Sequence, residues 1–236
     1  MDIRAISLDL DDTLWPIAPV IERVEQKVDV WLRDNCPHVA CAWPIDALRK
    51  LRDQVAIDHP ELAHDFGAQR KQTLRRVFAP FDMDESWVER TYEVYVQVRN
   101  EVECYADTIT ALAAMARHVP LVSISNGTAD LDRIGLHGHF RFSVSASEVG
   151  VAKPDSSIFL HACERLGVAP QHVLHVGDDP LADVLGARKA GLRSAWINRN
   201  GASWLEHAAP DLVIHDLAAL SDWLAAHTAS RQNRPS

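Results

Sequence analysis

The hydrophobic positions of this chain change period twice. Ile3 to Leu10 form a short, β-rich apolar run, which predicts a buried strand ending at Asp9. From Ile17 to about Val102 the period becomes helical: Val20, Ile21, Val24, Val28, Trp31 and Leu32 recur at helical spacing, and so do Trp87, Val94 and Val98. The intervening stretches "IDALRKLRDQVA" and "GAQRKQTLRRVFA" are helical by propensity. Together they predict an all-helical segment of about 90 residues.

Beyond it, strands and helices alternate. A helix at 107–117 precedes the strand "PLVSIS", and a helix at 129–136 precedes "FSVSAS". The next helix, 155–166, opens with Asp155 after Lys153-Pro154 and closes at Gly167. "HVLHVG", a helix over 180–190, the strands "SAWI" and "LVI", and a helix over 216–227 complete the series. Short connections between alternating elements imply an α/β fold, a Rossmann-like parallel sheet covered on both faces, with an inserted all-helical domain. The expected boundaries are 1–15 and 104–228 for the α/β core, 16–103 for the helical cap, and 229–236 for a disordered tail. No internal repeat is present.

Composition narrows the function classes. The 236 residues are 47% hydrophobic and 24% charged, ordinary for a globular protein. Net charge is −9, from 24 basic and 33 acidic residues, which argues against nonspecific nucleic-acid binding but leaves room for a small phosphorylated ligand. No run approaches a membrane span, and "MDIRAISLDL" lacks the pattern of a signal peptide, so a cytoplasmic protein is expected. Cys36, Cys41, Cys104 and Cys163 are scattered and read as reduced thiols. Either a monomer or a homodimer is compatible with the sequence.

Candidate chemistry collects at the carboxyl ends of the strands, where open α/β sheets bind ligands. The first strand runs into Asp9-Leu10-Asp11, "LVSIS" into Ser125-Asn126-Gly127, and "HVLHVG" into Gly177-Asp178-Asp179, with Asp183 five residues beyond Asp178. Lys153 enters from the turn after "SVSAS". These residues suit phosphoryl transfer through an aspartyl-phosphate. Mg²⁺ needs hard oxygen ligands, which Asp9, Asp178 and the Asp11 backbone carbonyl offer. The phosphoryl oxygens need fixed donors, here the Ser125 hydroxyl, the backbone N–H groups of Asn126 and Gly127, and the Lys153 ammonium. Asp11 is placed to protonate the leaving group and then to activate water.

"DLDDTL", "ISNG", "KP" and "GDDPLAD" resemble, in order, the four motifs of the haloacid dehalogenase (HAD) superfamily, and the resemblance covers nearly all of residues 1–227. The 16–103 segment resembles the helical cap of its first subclass. The resemblance implies that Asp9 is the nucleophile, Asp11 the acid/base, Ser125 and Lys153 the phosphate binders and Asp178 a Mg²⁺ ligand. It gives Asp183 the ordering of Lys153 or of a metal-bound water. Dehalogenases of the superfamily lack the second aspartate of the first motif, and its presence as Asp11 implies a phosphatase. "AHDF...R", "LHVGDDPLADVLGA" and "WINRNG" further resemble bacterial phosphatases acting on flavin mononucleotide and on the phosphorylated ribitylamino-uracil of riboflavin synthesis.

Other readings compete residue by residue. A calcium loop from Asp9 would need Gly and Glu where Leu14 and Val20 stand. His137, His139, His172 and His175 do not converge with cysteines or acids at zinc spacing and read as surface or packed residues. Thr13 is expected to hydrogen-bond near the nucleophile, Asp179 to support the metal site, and Asp12 either to anchor the loop or to join the chemistry. Trp15 is a candidate for stacking on substrate or for packing at the entry to the helical segment. Arg70 is a candidate for reaching the distal part of the substrate. A phosphotransferase or mutase, and a signalling phosphoacceptor, use similar residues; the long helical insertion favours an enzyme that excludes bulk water over the phosphoacceptor.

Overall fold

The computed structural model describes residues 1–232. The chain divides into two compact units: Met1–Pro16, Glu103–Ser125 and Gly135–Ser236 form one, and Ile17–Val102 with Asn126–Ile134 form the other.

The first unit holds a six-stranded sheet in the order β3-β2-β1-β4-β5-β6, with every neighbouring pair parallel. The strands are β1 (Ala5–Leu8), β2 (Leu121–Ser125), β3 (Phe142–Ser145), β4 (Val173–Gly177), β5 (Arg193–Ile197) and β6 (Leu212–Ile214). Every residue of β1, β2 and β4 is buried, as continuous apolar runs demand when both faces of a sheet are covered. On one face Val122, Ile124 and Val144 pack with Ile158, Phe159 and Ala162. After β1 the chain builds β2 and β3 to one side and then crosses to β4 on the other. The carboxyl ends of β1 and β4 therefore meet at a topological switch point, where such sheets hold ligands.

The second unit is helical: α1 (Ile17–Asn35), α2 (Pro37–Ala42), α3 (Ile45–Asp58), α4 (Phe66–Phe78) and α5 (Glu85–Arg99). Asp65 caps α4 by accepting from the Ala68 N–H, and Asp84 caps α5 by accepting from Ser86. Its core includes Leu32, Val39, Leu74, Val77, Phe78 and Val88, with Trp31 and Trp87 packed against it edge to face. The buried residues of α5 are Val88, Thr91, Tyr95, Val98 and Arg99; of the expected positions Val98 is buried, Trp87 packs partly buried against the core, and Val94 is half-buried.

The remaining helices are α6 (Thr108–Met115), α7 (Leu131–Ile134), α8 (Ala146–Val149), α9 (Ser156–Leu166), α10 (Gly186–Lys189) and α11 (Leu217–Gln232). Between β4 and α10, Pro180–Leu185 form a wide helical turn of π type, so the expected 180–190 helix changes pitch midway. Residues 126–134, expected with the α/β part, group with the helical unit. There Asn100 accepts from the Asp130 N–H at 2.7 Å and Arg133 pairs with Glu93 at 3.5 Å. The last helix extends to Gln232, into the stretch expected to be disordered, and 233–236 lie outside the described residues. All four cysteines are free thiols. Among the described residues no helix is long and apolar enough to cross a membrane.

Candidate active site

Register brings the candidate residues together. Leu8 of β1 lies opposite Val176 of β4 and Ser123 of β2, and the Asp9 N–H donates to the Val176 carbonyl at 2.9 Å. Continuing the pairing by one and two residues sets Asp9 beside Gly177, and Leu10 beside Asp178 on one side and Ser125 on the other. Asp9 and Ser125 are buried, and Asp178 is half-buried.

A buried charged cluster occupies this rim. Lys153 donates from Nζ to Asp9 Oδ1 at 2.5 Å and to Asp183 Oδ1 at 2.6 Å, and the three residues are respectively 6%, 8% and 1% exposed. Such burial is costly, and two carboxylates here share a single ammonium. Burial acts to raise the Asp183 pKa, but Lys153 and His175 outweigh it and hold the group well below the carboxylate range. Asp9 is left the weaker claim: burial, with the like charge of Asp183, pushes it well above that range against the pull of Lys153. Burial would lower the Lys153 pKa, yet the two aspartates raise it above its ordinary value. Asp178 is pushed up to about 7 by burial and by the nearby charges of Asp183 and Asp12.

Asp9, Asp178 and Asp183 each bring an oxygen within 4.8 Å of the others. Three hard donors in a pocket with excess negative charge fit a divalent cation such as Mg²⁺, whose charge would offset what now raises Asp9 and Asp178. Asp11 stands outside this trio by its carboxylate, which accepts from the Trp15 indole N–H at 2.9 Å. Its backbone carbonyl remains the donor the sequence offers. Of the two acids that follow Asp178, Asp179 turns its carboxylate to its own helix start, accepting from Leu181 and Ala182. Asp183 is the one that joins the cluster, and its Oδ2 also accepts from the Asp179 N–H at 3.0 Å.

Support comes from two directions. The Thr13 hydroxyl donates to Asp178 at 3.3 Å, and the Trp196 indole donates to the Asp178 carbonyl at 2.8 Å. The loop from Asp11 to Trp15 turns through Asp12, which has φ 56° and whose N–H donates to the Trp15 carbonyl. Aspartate is among the few non-glycine residues that visit this conformation. Trp15, a sequence candidate for substrate stacking, is fully buried and so has no free ring face; it packs and holds Asp11. Ser125 ends β2, while Asn126 and Gly127 directly follow it and belong by packing to the helical unit. Arg70 also lies in that unit, with its guanidinium 4.7 Å above the Tyr95 ring.

Two contributors were not legible as site residues. Of the surface and packed readings left open for it, His175 takes the packed one, but its partners belong to the site: Nε2 lies 3.1 Å from Asp183 Oδ1 and Nδ1 2.9 Å from Ser7 Oγ. Burial lowers its pKa, so the ring is neutral. A carboxylate only accepts, so the ring proton sits on Nε2 and Ser7 donates to Nδ1. A histidine in mid-strand, flanked by Val and Leu, was the available signal. Arg199 pairs with Asp107 at 3.1 Å and donates to the Thr13 carbonyl at 3.0 Å, bracing the Asp11–Trp15 loop.

The haloacid dehalogenase-like hydrolase model matches residues 3–191. The 5-amino-6-(5-phospho-D-ribitylamino)uracil phosphatase YigB of Escherichia coli is 32% identical, over 93% of this chain and 95% of that protein. A phosphoserine phosphatase of Thermus thermophilus is 30% identical, over 91% and 96%. Among solved structures, a 2-haloacid dehalogenase of Pseudomonas syringae superposes with a TM-score of 0.89 at 32% identity, over 95% of this chain and 99% of that one. The chain belongs to the haloacid dehalogenase-like hydrolases.

Proposed function

We propose that this phosphatase hydrolyses a small phosphorylated metabolite through an aspartyl-phosphate on Asp9, with Mg²⁺ as cofactor. The observation that carries the reading is the buried Asp9–Lys153–Asp183 cluster beside Asp178, which holds far more charge than folding needs. Asp9, Asp178 and the Asp11 carbonyl would hold the cation, with Thr13, Asp179 and Asp183 supporting. When bound, it supplies positive charge that keeps Asp9 ionised and offsets the charge of the phosphoryl oxygens.

In the first half-reaction an Asp9 carboxylate oxygen forms a bond to phosphorus as the ester P–O bond breaks. Asp11 gives its proton to the departing alkoxide. Lys153, Ser125 and the backbone N–H groups of Asn126 and Gly127 hold the equatorial oxygens. In the second, Asp11 takes a proton from water as the water oxygen bonds to phosphorus. The Asp9–phosphorus bond breaks and phosphate leaves. Arg70 reads the organic half of the substrate. The favoured class is a phosphorylated ribitylamino-uracil, supported by the likeness to the Escherichia coli enzyme, or flavin mononucleotide, supported by the resemblance in sequence motifs alone.

Phosphate release from a panel of phosphomonoesters, with Mg²⁺ and with excess chelator, tests the reading. Metal-dependent release that Asp9→Asn abolishes while the fold survives supports it. Transfer of the phosphoryl group to a second alcohol without free phosphate would favour a phosphotransferase. The likeness to a 2-haloacid dehalogenase makes halide release from a 2-haloacid the necessary control. Halide release without phosphate release would overturn the phosphatase assignment.

A further inference from the structure

The segment that carries the proposed phosphoryl donors leaves β2 at Ser125 and has no regular structure until α7. Backbone N–H groups serve as donors only when their positions are fixed in advance. Ser125 is fixed by its strand. The far end is fixed by α5 and the residue after it. The Tyr95 hydroxyl lies 2.9 Å from Thr128 Oγ1, one residue past Gly127, and the Asn100 side chain accepts from the Asp130 N–H at 2.7 Å. The Asn100 amide is itself oriented, since its Nδ2 donates to the Val96 carbonyl at 2.8 Å.

Tyr95 is a rigid post for this purpose. It is 5% exposed, its ring stacks on Tyr92 at 5.6 Å with planes 19° apart, and Arg70 covers it at 4.7 Å. Phenylalanine would supply the same packing, so the hydroxyl is what needs a reason. A hydroxyl with so little access to water needs a partner, and the one it has is three residues from Ser125.

We propose that Tyr95 is a positioning residue that holds the far end of the phosphoryl-binding segment through Thr128. It sets the Asn126 and Gly127 N–H groups and touches no reacting atom. This rests on the phosphatase reading for its consequence, though not for the tether. Displacing donors by a fraction of an ångström weakens the grip on phosphoryl oxygens while leaving Asp9 and Asp11 in place.

The test combines two readouts on the full chain. Backbone amide exchange of the 126–134 segment should speed up in Tyr95→Phe and in Thr128→Val, stay slow in Thr128→Ser, and be unchanged in Tyr92→Phe. Inhibition by inorganic phosphate in the presence of Mg²⁺ should weaken about 3–10-fold in Tyr95→Phe, the worth of one hydrogen bond. Thr128→Val should match it, the double variant should be no worse than either, and Thr128→Ser should recover the wild-type value. Unchanged exchange in Tyr95→Phe would overturn the tether whatever the enzyme does. Faster exchange with an unchanged phosphate constant, or additive losses in the double variant, would overturn the positioning role. Should wild-type protein release no phosphate from any ester, the functional reading falls, and the exchange measurement still decides the tether.

Discussion

Gly177 runs so close beneath Asp183 that a methyl group on its Cα would lie 2.2 Å from the Asp183 carboxyl carbon. Its backbone conformation is not one reserved for glycine; what forbids a side chain is the approach. The strand end can pass under the acid that Lys153 and His175 hold only because nothing projects there. Gly177→Ala should therefore push Asp183 off both partners. Overpacking should cost about 1–3 kcal/mol in urea unfolding, and kcat/KM should fall at least about 100-fold. Wild-type turnover with unchanged stability would mean that the strand and the acid part freely.

Asp178 carries a second prediction. Its pKa is pushed up to about 7 by burial and by its acidic neighbours, so at neutral pH a proton and a cation compete for it. Mg²⁺ should raise the melting temperature, chelator should remove the gain, and the gain should be larger at pH 8 than at pH 6. Asp178→Asn should lose most of the shift. Thermal melts at the two pH values, with and without Mg²⁺, decide it; an equal shift in the variant would place the cation elsewhere.

The Asp107–Arg199 pair gives a pH dependence away from any metal. Burial acts to raise the Asp107 pKa, but the bonds from Arg199 and from the Leu217 N–H outweigh it and set the group below its ordinary value. A carboxylate with a depressed folded pKa contributes stability that is fully present above its unfolded pKa, near 4, and is lost as pH falls through the folded one. Asp107→Asn should cost roughly 1.5–3 kcal/mol at pH 7. The gap from wild type should close steadily below about pH 4. A gap independent of pH would assign the loss to shape, not charge.

Much of this was written in local sequence. Asp9, Ser125 and Asp178 stand where apolar strands stop, and Lys153 stands in the turn that follows another strand, so the sheet rule places their segments at one rim. Separating Asp183 from Asp179 was beyond that rule. Both follow Asp178 closely, and only the wide turn over Pro180–Leu185 points one carboxylate inward while the other caps its own helix. His175 was legible as surface or packed but not as a partner of Asp183, because its role depends on Ser7 from another strand. The grouping of 126–134 with the helices likewise depends on side chains of Tyr95 and Asn100, distant in sequence. Trp15 reads equally as a stacking or a packing residue until the loop geometry buries it.

That buried Trp15 supports the last prediction. Its indole N–H reaches Asp11 Oδ1 at 2.9 Å across a turn closed by the Asp12 N–H on the Trp15 carbonyl. A carboxyl that must give and then take a proton needs a fixed direction, and the indole N–H on Oδ1 helps to set it. Trp15→Phe keeps most of the apolar volume and removes the donor. Protonation of the leaving group matters most for poor leaving groups, so kcat should fall about 10–100-fold for an alkyl phosphate. An aryl phosphate such as p-nitrophenyl phosphate, whose anion departs unassisted, should lose far less. The ratio of the two rates separates the roles: equal losses would make Trp15 a packing residue alone, whereas a selective loss on the alkyl ester ties the indole to Asp11.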